Sequence, residues 1–201
     1  QETRSALIEA ARALFIEKSY AETSTPEMVE RAGLTRGALY HHFRDKQALF
    51  LAVVEAEAVQ VAAEIEAKSA SATAPFAALQ EGAQAYFEAM RSPGRVRLLL
   101  LDGPAVLGAQ TMRRIDLETG GQELRRGLAG ALGDAPSIAR IEALADLVSA
   151  MFDRAVMACD VGADPRVYQD TIDQLLAILV DRGEAFCDNP ARAPATPPEG
   201  A

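Results

Sequence analysis

Between Glu30 and Asp45 the sequence carries no carboxylate, yet Arg31, Arg36, His41, His42 and Arg44 all fall there, with the hydroxyls of Thr35 and Tyr40 among them. Such groups suit a nucleic acid. Arginine grips guanine O6 and N7 bidentately, and hydroxyls and backbone N–H groups take phosphate oxygens. They do not suit catalysis: the only histidines are adjacent, and the chain has no P-loop, no dinucleotide glycine motif and no nucleophile elbow. Cys159 and Cys187 lie far from the histidine pair, so the spacing of a metal site is missing. Neither a metal nor a cofactor is expected.

To reach a groove, these side chains need a short helix held at its ends. Ser24 or Thr25 can cap a first helix, with Glu27 at capping-box spacing from Ser24 and Pro26 at a first helical position. Gly33 stops it. Thr35 caps a second helix that runs to His42, and Asp45 caps a third beginning at Lys46. Short helix, glycine turn, short helix is a helix-turn-helix. On a wheel of roughly 100° per residue, Leu39 and Phe43 point into a core with Phe15, Val29 and Leu34. Gly37 and His41 point the opposite way, with Ala38 and Tyr40 flanking. Glycine costs roughly 1 kcal/mol inside a helix, which is understandable if another backbone or a base edge must come close at Gly37. Arg36 stands at the helix start, the end such motifs push toward bases. Thr25, Thr35 and Lys46 lie at helix N-termini, where free N–H groups favour phosphate. Thr25, Thr35 and Asp45 would be needed as caps without DNA, and Tyr40 could be ordinary packing; the combination carries the reading.

Thr25 to Phe43, with the core Gly33-Leu34-Thr35-Arg36-Gly37-Ala38-Leu39-Tyr40-His41-His42-Phe43 and the pair Asp45-Lys46, resembles the TetR family of bacterial transcriptional repressors. The resemblance covers roughly residues 4 to 54. It implies DNA contacts at Thr25, Thr35, Arg36, Gly37, Ala38, Tyr40, His41 and Lys46. His42 matches a contact position too, but the wheel turns it partly inward. It also implies a homodimer whose last two long helices form a four-helix bundle with the partner. Such a repressor leaves a palindromic operator when a small molecule enters the C-terminal core and the fourth helix moves. One departure is Ser19, where the family usually has glycine before the aromatic Tyr20; a relaxed turn is expected there.

The remainder must carry dimerisation and ligand binding. The chain has 201 residues, 49% of them apolar, and no tryptophan. No alternating strand pattern appears, so an all-α protein of nine or so helices is expected. Residues 1–46 hold equal numbers of basic and acidic side chains, so the net charge of −9 lies wholly beyond them. An acidic body limits non-specific sticking to DNA.

Helical patterns span 3–18, 46–68, 76–90, 136–159 and 165–187, with one or two helices over 105–132 broken near Gly120 and Gly121. An apolar run at 96–101 precedes Asp102-Gly103-Pro104. The last two helices are apolar over more than one face, so Ile141, Leu144, Val148, Ile172, Leu175, Leu176 and Leu179 are expected against a second copy. Phe87, Met90, Met112, Met151 and Phe152 are candidate pocket residues, because Met and Phe line adaptable cavities, although each also reads as ordinary core. Asp102 reads as a helix-end cap or a ligand anchor.

The expected division is a helix-turn-helix domain at 1–46, a ligand-binding and dimerisation domain at 47–187, and a Pro- and Ala-rich disordered tail at 188–201. Two cysteines are too few for a disulfide framework, and no run reaches the roughly 18 apolar residues of a membrane span. A reducing cytoplasm is expected, as are a few residues upstream, since the chain begins at Gln1 rather than Met. The expected partners are double-stranded DNA, a second copy and a small-molecule effector. A competing class is a helical dimerisation protein with a vestigial helix-turn-helix and no specific operator.

Overall fold

Caps decide where the helices begin. Glu27 accepts hydrogen bonds from the Ser24 backbone N–H at 2.8 Å and the Ser24 hydroxyl at 2.7 Å, at the start of α2 (Thr25–Arg31). Thr35 Oγ1 accepts from Ala38 N at 3.1 Å and opens α3 (Arg36–His42). Asp45 Oδ1 accepts from Ala48 N at 2.7 Å and opens α4 (Lys46–Ser69). Each such cap is worth about 1 kcal/mol. In this computed structural model, which describes residues 2–133 and 136–183, α1 (Glu2–Lys18) precedes them. They are followed by α5 (Pro75–Met90), a π-helical segment (Val96–Asp102), α6 (Gly103–Leu107), α7 (Ala109–Glu118), α8 (Gly120–Leu132), α9 (Ile138–Asp160) and α10 (Pro165–Asp181). The fold is all-α, and no described residue lies in a strand.

One apolar core runs through the whole chain. Leu7, Phe15, Met28, Leu39, Leu49 and Phe50 are fully buried at its N-terminal end, and the same cluster continues through Leu98 and Leu128 to Leu176. Each of these side chains contributes about 1.5–3 kcal/mol by leaving water. Helix α4 is the shared element. Its first turns close the three-helix unit, and its later residues Val61 and Ile65 face the C-terminal helices.

The apolar run at 96–101 is the π-helical segment, wider than an α-helix by about one residue per turn. It ends where Gly103 N–H donates to Leu98 O, and a Cβ on Gly103 would stand 2.8 Å from that carbonyl. The expected one or two helices over 105–132 are three: α6 starts earlier, and Gly108, at φ 82°, separates it from α7. The last helix ends at Asp181 rather than 187; residues 184–201, with Cys187 and the proposed tail, lie outside the described residues.

Ser19 adopts φ 83°, the left-handed region, so the turn is not relaxed. A serine holds the conformation a glycine would take more cheaply. The Thr23 hydroxyl, buried, donates to the Ser19 carbonyl at 2.7 Å and braces the turn.

The three-helix unit is joined to the body by ion pairs. Glu57 on α4 accepts from Arg12 of α1 at 2.5 and 3.2 Å, and from Arg95 Nε at 3.2 Å. Arg95 also donates to Glu64 at 2.9 and 2.8 Å and to the Ala89 carbonyl at 2.7 Å. Glu57 and Arg95 are 3% and 2% exposed, so this pair is shielded from water, while Arg12 and Glu64 reach solvent. Gly94, beside Arg95, has φ 81° and lies where a Cβ would come within 2.3 Å of Ile16 on α1. At the other end of the π-helical segment, Asp102 Oδ2 accepts from the Tyr20 backbone N–H at 3.3 Å and lies 3.8 Å from Arg97. Asp102 is thus a tether to the α1–α2 turn, and it makes no cap hydrogen bond to α6.

Helices α9 and α10 spend part of the expected interface on the protein's own core. Leu144, Val148, Ile172 and Leu176 are buried in the protein's own core, and Ile141 and Leu179 are partly covered by it. Of the seven, Leu175 is exposed. The apolar side chains left in water on these helices are Leu147, Leu175 and Ile178, with Ile138 and Val167 near the helix starts. The stripes are two-sided, as their width suggested. Periodicity alone does not say which side faces inward.

Candidate nucleic-acid interface and interior cavity

Helix α3 presents one face to the core and one to solvent. Leu39 and Phe43 are buried, whereas Thr35, Arg36, Gly37, Tyr40 and His41 are exposed. Ala38 and His42 are half-buried, as are Thr25 and Lys46 at the starts of their helices. Gly33, at φ 63°, turns the chain between α2 and α3. The candidate residues of the sequence are therefore gathered on and beside one exposed helix. A Cβ at Gly37 would meet only Thr35 Oγ1, at 3.8 Å, so no contact inside the protein requires a glycine there.

The cations of the segment divide into paired and available. Arg31 is bound by Glu17 through two 2.9 Å hydrogen bonds, and Arg44 lies 2.9 Å from Asp45. Arg36 makes no ion pair among the described residues; its guanidinium carbon sits 5.5 Å from the Tyr40 ring centroid, one turn along. This stacking holds the fork without neutralising it. Lys46 Nζ lies 4.2 Å from the Tyr20 ring centroid, and partial burial pulls its pKa down. The basic patch legible in the sequence is thus narrower in charge than in count. Glu27, hydrogen-bonded first by Lys18 and then by Ser24, has a pKa lowered to about 2 and stays ionised as a cap partner.

Behind this unit α4 and the C-terminal helices line a half-open cavity of ≈ 750 Å³. Val61 and Ile65 of α4, Leu79 of α5, Leu99 of the π-helical segment and Phe152 of α9 line it. Of the candidate pocket residues, Met112 and Phe152 are on its wall. Phe87 and Met90 are buried in the core but off the wall, and Met151 is half-buried and also off it. Neighbouring residues on a helix point about 100° apart, so on α5 Tyr86 faces the cavity while Phe87 turns into packing.

Among the polar groups of the cavity, Tyr86, Asp116 and Asp153 were not singled out from the sequence. A tyrosine and two aspartates on three different helices give no spacing signal. The Tyr86 hydroxyl donates to Asp153 Oδ1 at 2.5 Å. Burial, and then the Asp153 charge, push the Tyr86 pKa well above its ordinary value. Burial raises Asp153 while the Tyr86 hydrogen bond pulls it back. Burial, and then the neighbouring Asp153, raise Asp116 to about 6. Cys159 is half-buried, and burial raises its thiol pKa. No described helix is long and apolar enough to cross a membrane.

Comparison with known proteins agrees with this arrangement. Residues 7–53 match the family described as bacterial regulatory proteins, tetR family, and residues 76–182 match the tetracyclin repressor-like C-terminal domain. The Transposon Tn10 TetC protein of Escherichia coli is 28% identical over 116 residues, 58% of each chain. The HTH-type transcriptional regulator TtgR of Pseudomonas putida is 44% identical over 55 residues, 27% of this chain and 26% of that one. These matches thus span 58% and 26% of the relatives' own lengths. A crystal structure of a TetR-family transcriptional regulator from Pectobacterium atrosepticum superposes with a TM-score of 0.67 at 30% identity, covering 94% of this chain and 96% of that one. With both its exposed recognition helix and its helical body matched, the chain belongs to the tetR family of bacterial regulatory proteins.

Proposed function

We propose that this protein is a sequence-specific DNA-binding transcriptional regulator: a homodimeric repressor that leaves a palindromic operator when a small molecule fills the cavity. The observation that carries the DNA reading is Gly37. Gly37 is the second residue of α3, where glycine is still less favourable than alanine, and nothing among the described residues fills the space beside it. A phosphate backbone or base edge approaching α3 supplies the reason. Arg36, held by Tyr40 and without an ion pair among the described residues, reads a base; Thr25, Thr35, Tyr40, His41 and Lys46 position the backbone, with Ala38 and His42 at the edges of the contact.

The exposed Leu147, Leu175 and Ile178 support a second copy packed on α9 and α10. Two recognition helices of a dimer must then meet half-sites about 34–36 Å apart or at a multiple of that. Helix α4 supports ligand-triggered release, since it begins beside α3 and ends in the cavity wall. A division into residues 1–46 for DNA and 47–187 for ligand and dimer belongs to the same proposal.

The test is selection of bound fragments from the source genome by purified protein. A recurring inverted repeat is expected; no enrichment at low salt overturns the operator reading. Arg36→Ala should cost about 1–3 kcal/mol of operator affinity and relax preference at one position per half-site. Unchanged sequence preference in that variant would remove Arg36 from base reading.

A further inference from the structure

The charges around the cavity are unevenly answered. At its rim Arg113 lies 3.5 Å from Asp146, and Arg126 lies 2.8 Å from Glu123, so the arginines that line it are already paired. Asp153 receives the Tyr86 hydroxyl. The Asp116 carboxylate receives no hydrogen bond and forms no ion pair among the described residues. It is held in place by shape: Gly121 at the start of α8 comes so near that a Cβ there would stand 2.8 Å from Asp116 Oδ2. A half-buried carboxylate without a hydrogen-bond partner costs stability, and a positive charge arriving beside it recovers that loss. The Tyr86 and Phe152 rings, with centroids 5.7 Å apart, share the wall with Asp116 and offer faces that attract cations. Met112 lies on the same wall and adapts to varied shapes.

We propose that the cavity binds a lipophilic organic cation, its charged nitrogen set against Asp116 and its apolar body among Leu79, Met112 and Phe152. The inference rests on reading the cavity as the effector site and assigns the chemistry of that effector. An anion would meet Asp116 and Asp153 with no free arginine on the wall to receive it. A neutral alcohol or phenol offers Asp116 one hydrogen bond but no charge. A volume of ≈ 750 Å³ falls within the range of pockets that enclose a multi-ring ligand.

Three probes that share one ring system and differ in charge test this on the full chain: pyrenylmethylammonium, pyrenylmethanol and pyrenylacetate, followed by pyrene fluorescence. The ammonium should bind at least about tenfold more tightly than either of the others. In Asp116→Asn that preference should fall to within about twofold, with the melting temperature unchanged or higher, because no hydrogen bond is lost. Asp116 is faced by Arg113 on its own helix, Arg125 on α8, Asp146 and Asp153 on α9 and Tyr86 on α5. With its pKa near 6, affinity for the ammonium should hold at neutral pH and decline as pH falls through that value, and Asp116→Asn should abolish the decline.

Equal or tighter binding of the alcohol or the acetate overturns the proposal. So does a preference that survives Asp116→Asn, or no binding of any probe up to about its solubility limit. Operator release is read separately by DNA-binding titration. Ammonium binding that leaves DNA affinity intact supports the ligand class and overturns the release reading. Release by pyrenylacetate without a preference for the ammonium supports release and overturns the ligand class.

Discussion

At the junction of α1, α4 and the π-helical segment, Glu57 is gripped by Arg12 and Arg95; in the cavity, the Asp116 carboxylate accepts no hydrogen bond and forms no ion pair among the described residues. Glu57 is buried and Asp116 half-buried, and the difference between them separates a joint from a cavity wall. At the joint each charge is answered by geometry within the chain. Arg95 reaches Glu57, Glu64 and the Ala89 carbonyl, and Arg12 completes Glu57. Such a network is costly to open, because a broken pair strands a buried charge. It fixes the three-helix unit to the body at one end of the π-helical segment, and the Tyr20–Asp102 hydrogen bond fixes it at the other. In the cavity the carboxylate without a hydrogen-bond partner is a standing cost, kept up by the surrounding fold.

The sharpest way to break the contrast is at the joint. Arg95→Ala should cost about 3–5 kcal/mol in urea unfolding, since it leaves Glu57 buried with half its partners. A loss below about 1 kcal/mol would mean that water enters the junction freely.

The cavity should respond with the opposite sign. Asp116 has a folded pKa of about 6 against an ordinary 3.8, so the folded state holds the extra proton between those values. Stability therefore falls as pH rises from about 4 to about 6, by an amount on the order of 2–3 kcal/mol. Asp116→Asn should remove that slope and leave the protein more stable at pH 7. An unchanged pH–stability curve would show that the carboxylate is already solvated.

Glu64 provides the counter-slope. Its hydrogen bond to Arg95 holds its pKa below the ordinary value, so its contribution is present above about 4.5 and is lost as pH falls. Glu64→Gln should flatten the acid side of the melting profile, an effect smaller than that of Asp116 because Glu64 is largely exposed.

The smallest expected change is Ser19→Gly. Relieving φ 83° gains about 1 kcal/mol and the freer unfolded glycine returns part of it, for a net gain of about 0.5 kcal/mol in melting experiments. A loss instead would assign the Ser19 side chain a stabilising contact.

The helix-turn-helix was legible because its signals are local. Ser24, Thr35 and Asp45 cap within three residues of themselves, and Gly33 supplies its own positive φ. Leu39 and Phe43, one turn apart, identify the buried face of α3 without knowledge of any other helix. The same logic does not choose between the faces of α9 and α10. Leu144, Val148, Ile172 and Leu176 are as apolar as Leu147 and Ile178, and only the positions of α5 and α8 decide which set is covered. The cavity was hidden for the same reason. Met112 and Phe152 reach it, while Phe87 and Met90, equally suited by chemistry, are consumed by packing.

The sequence by itself determined the all-α class, the capped recognition helix and the side chains that helix offers to solvent, because helical periodicity and capping act over a few residues. Tertiary structure alone decided that Arg12 and Arg95 converge on Glu57, that Asp102 tethers Tyr20, and that Asp116 stands unpaired beside Tyr86 and Phe152. Those meetings join residues up to 82 positions apart, and a pairing at that distance is set by how the helices pack and by nothing in the neighbourhood of either residue.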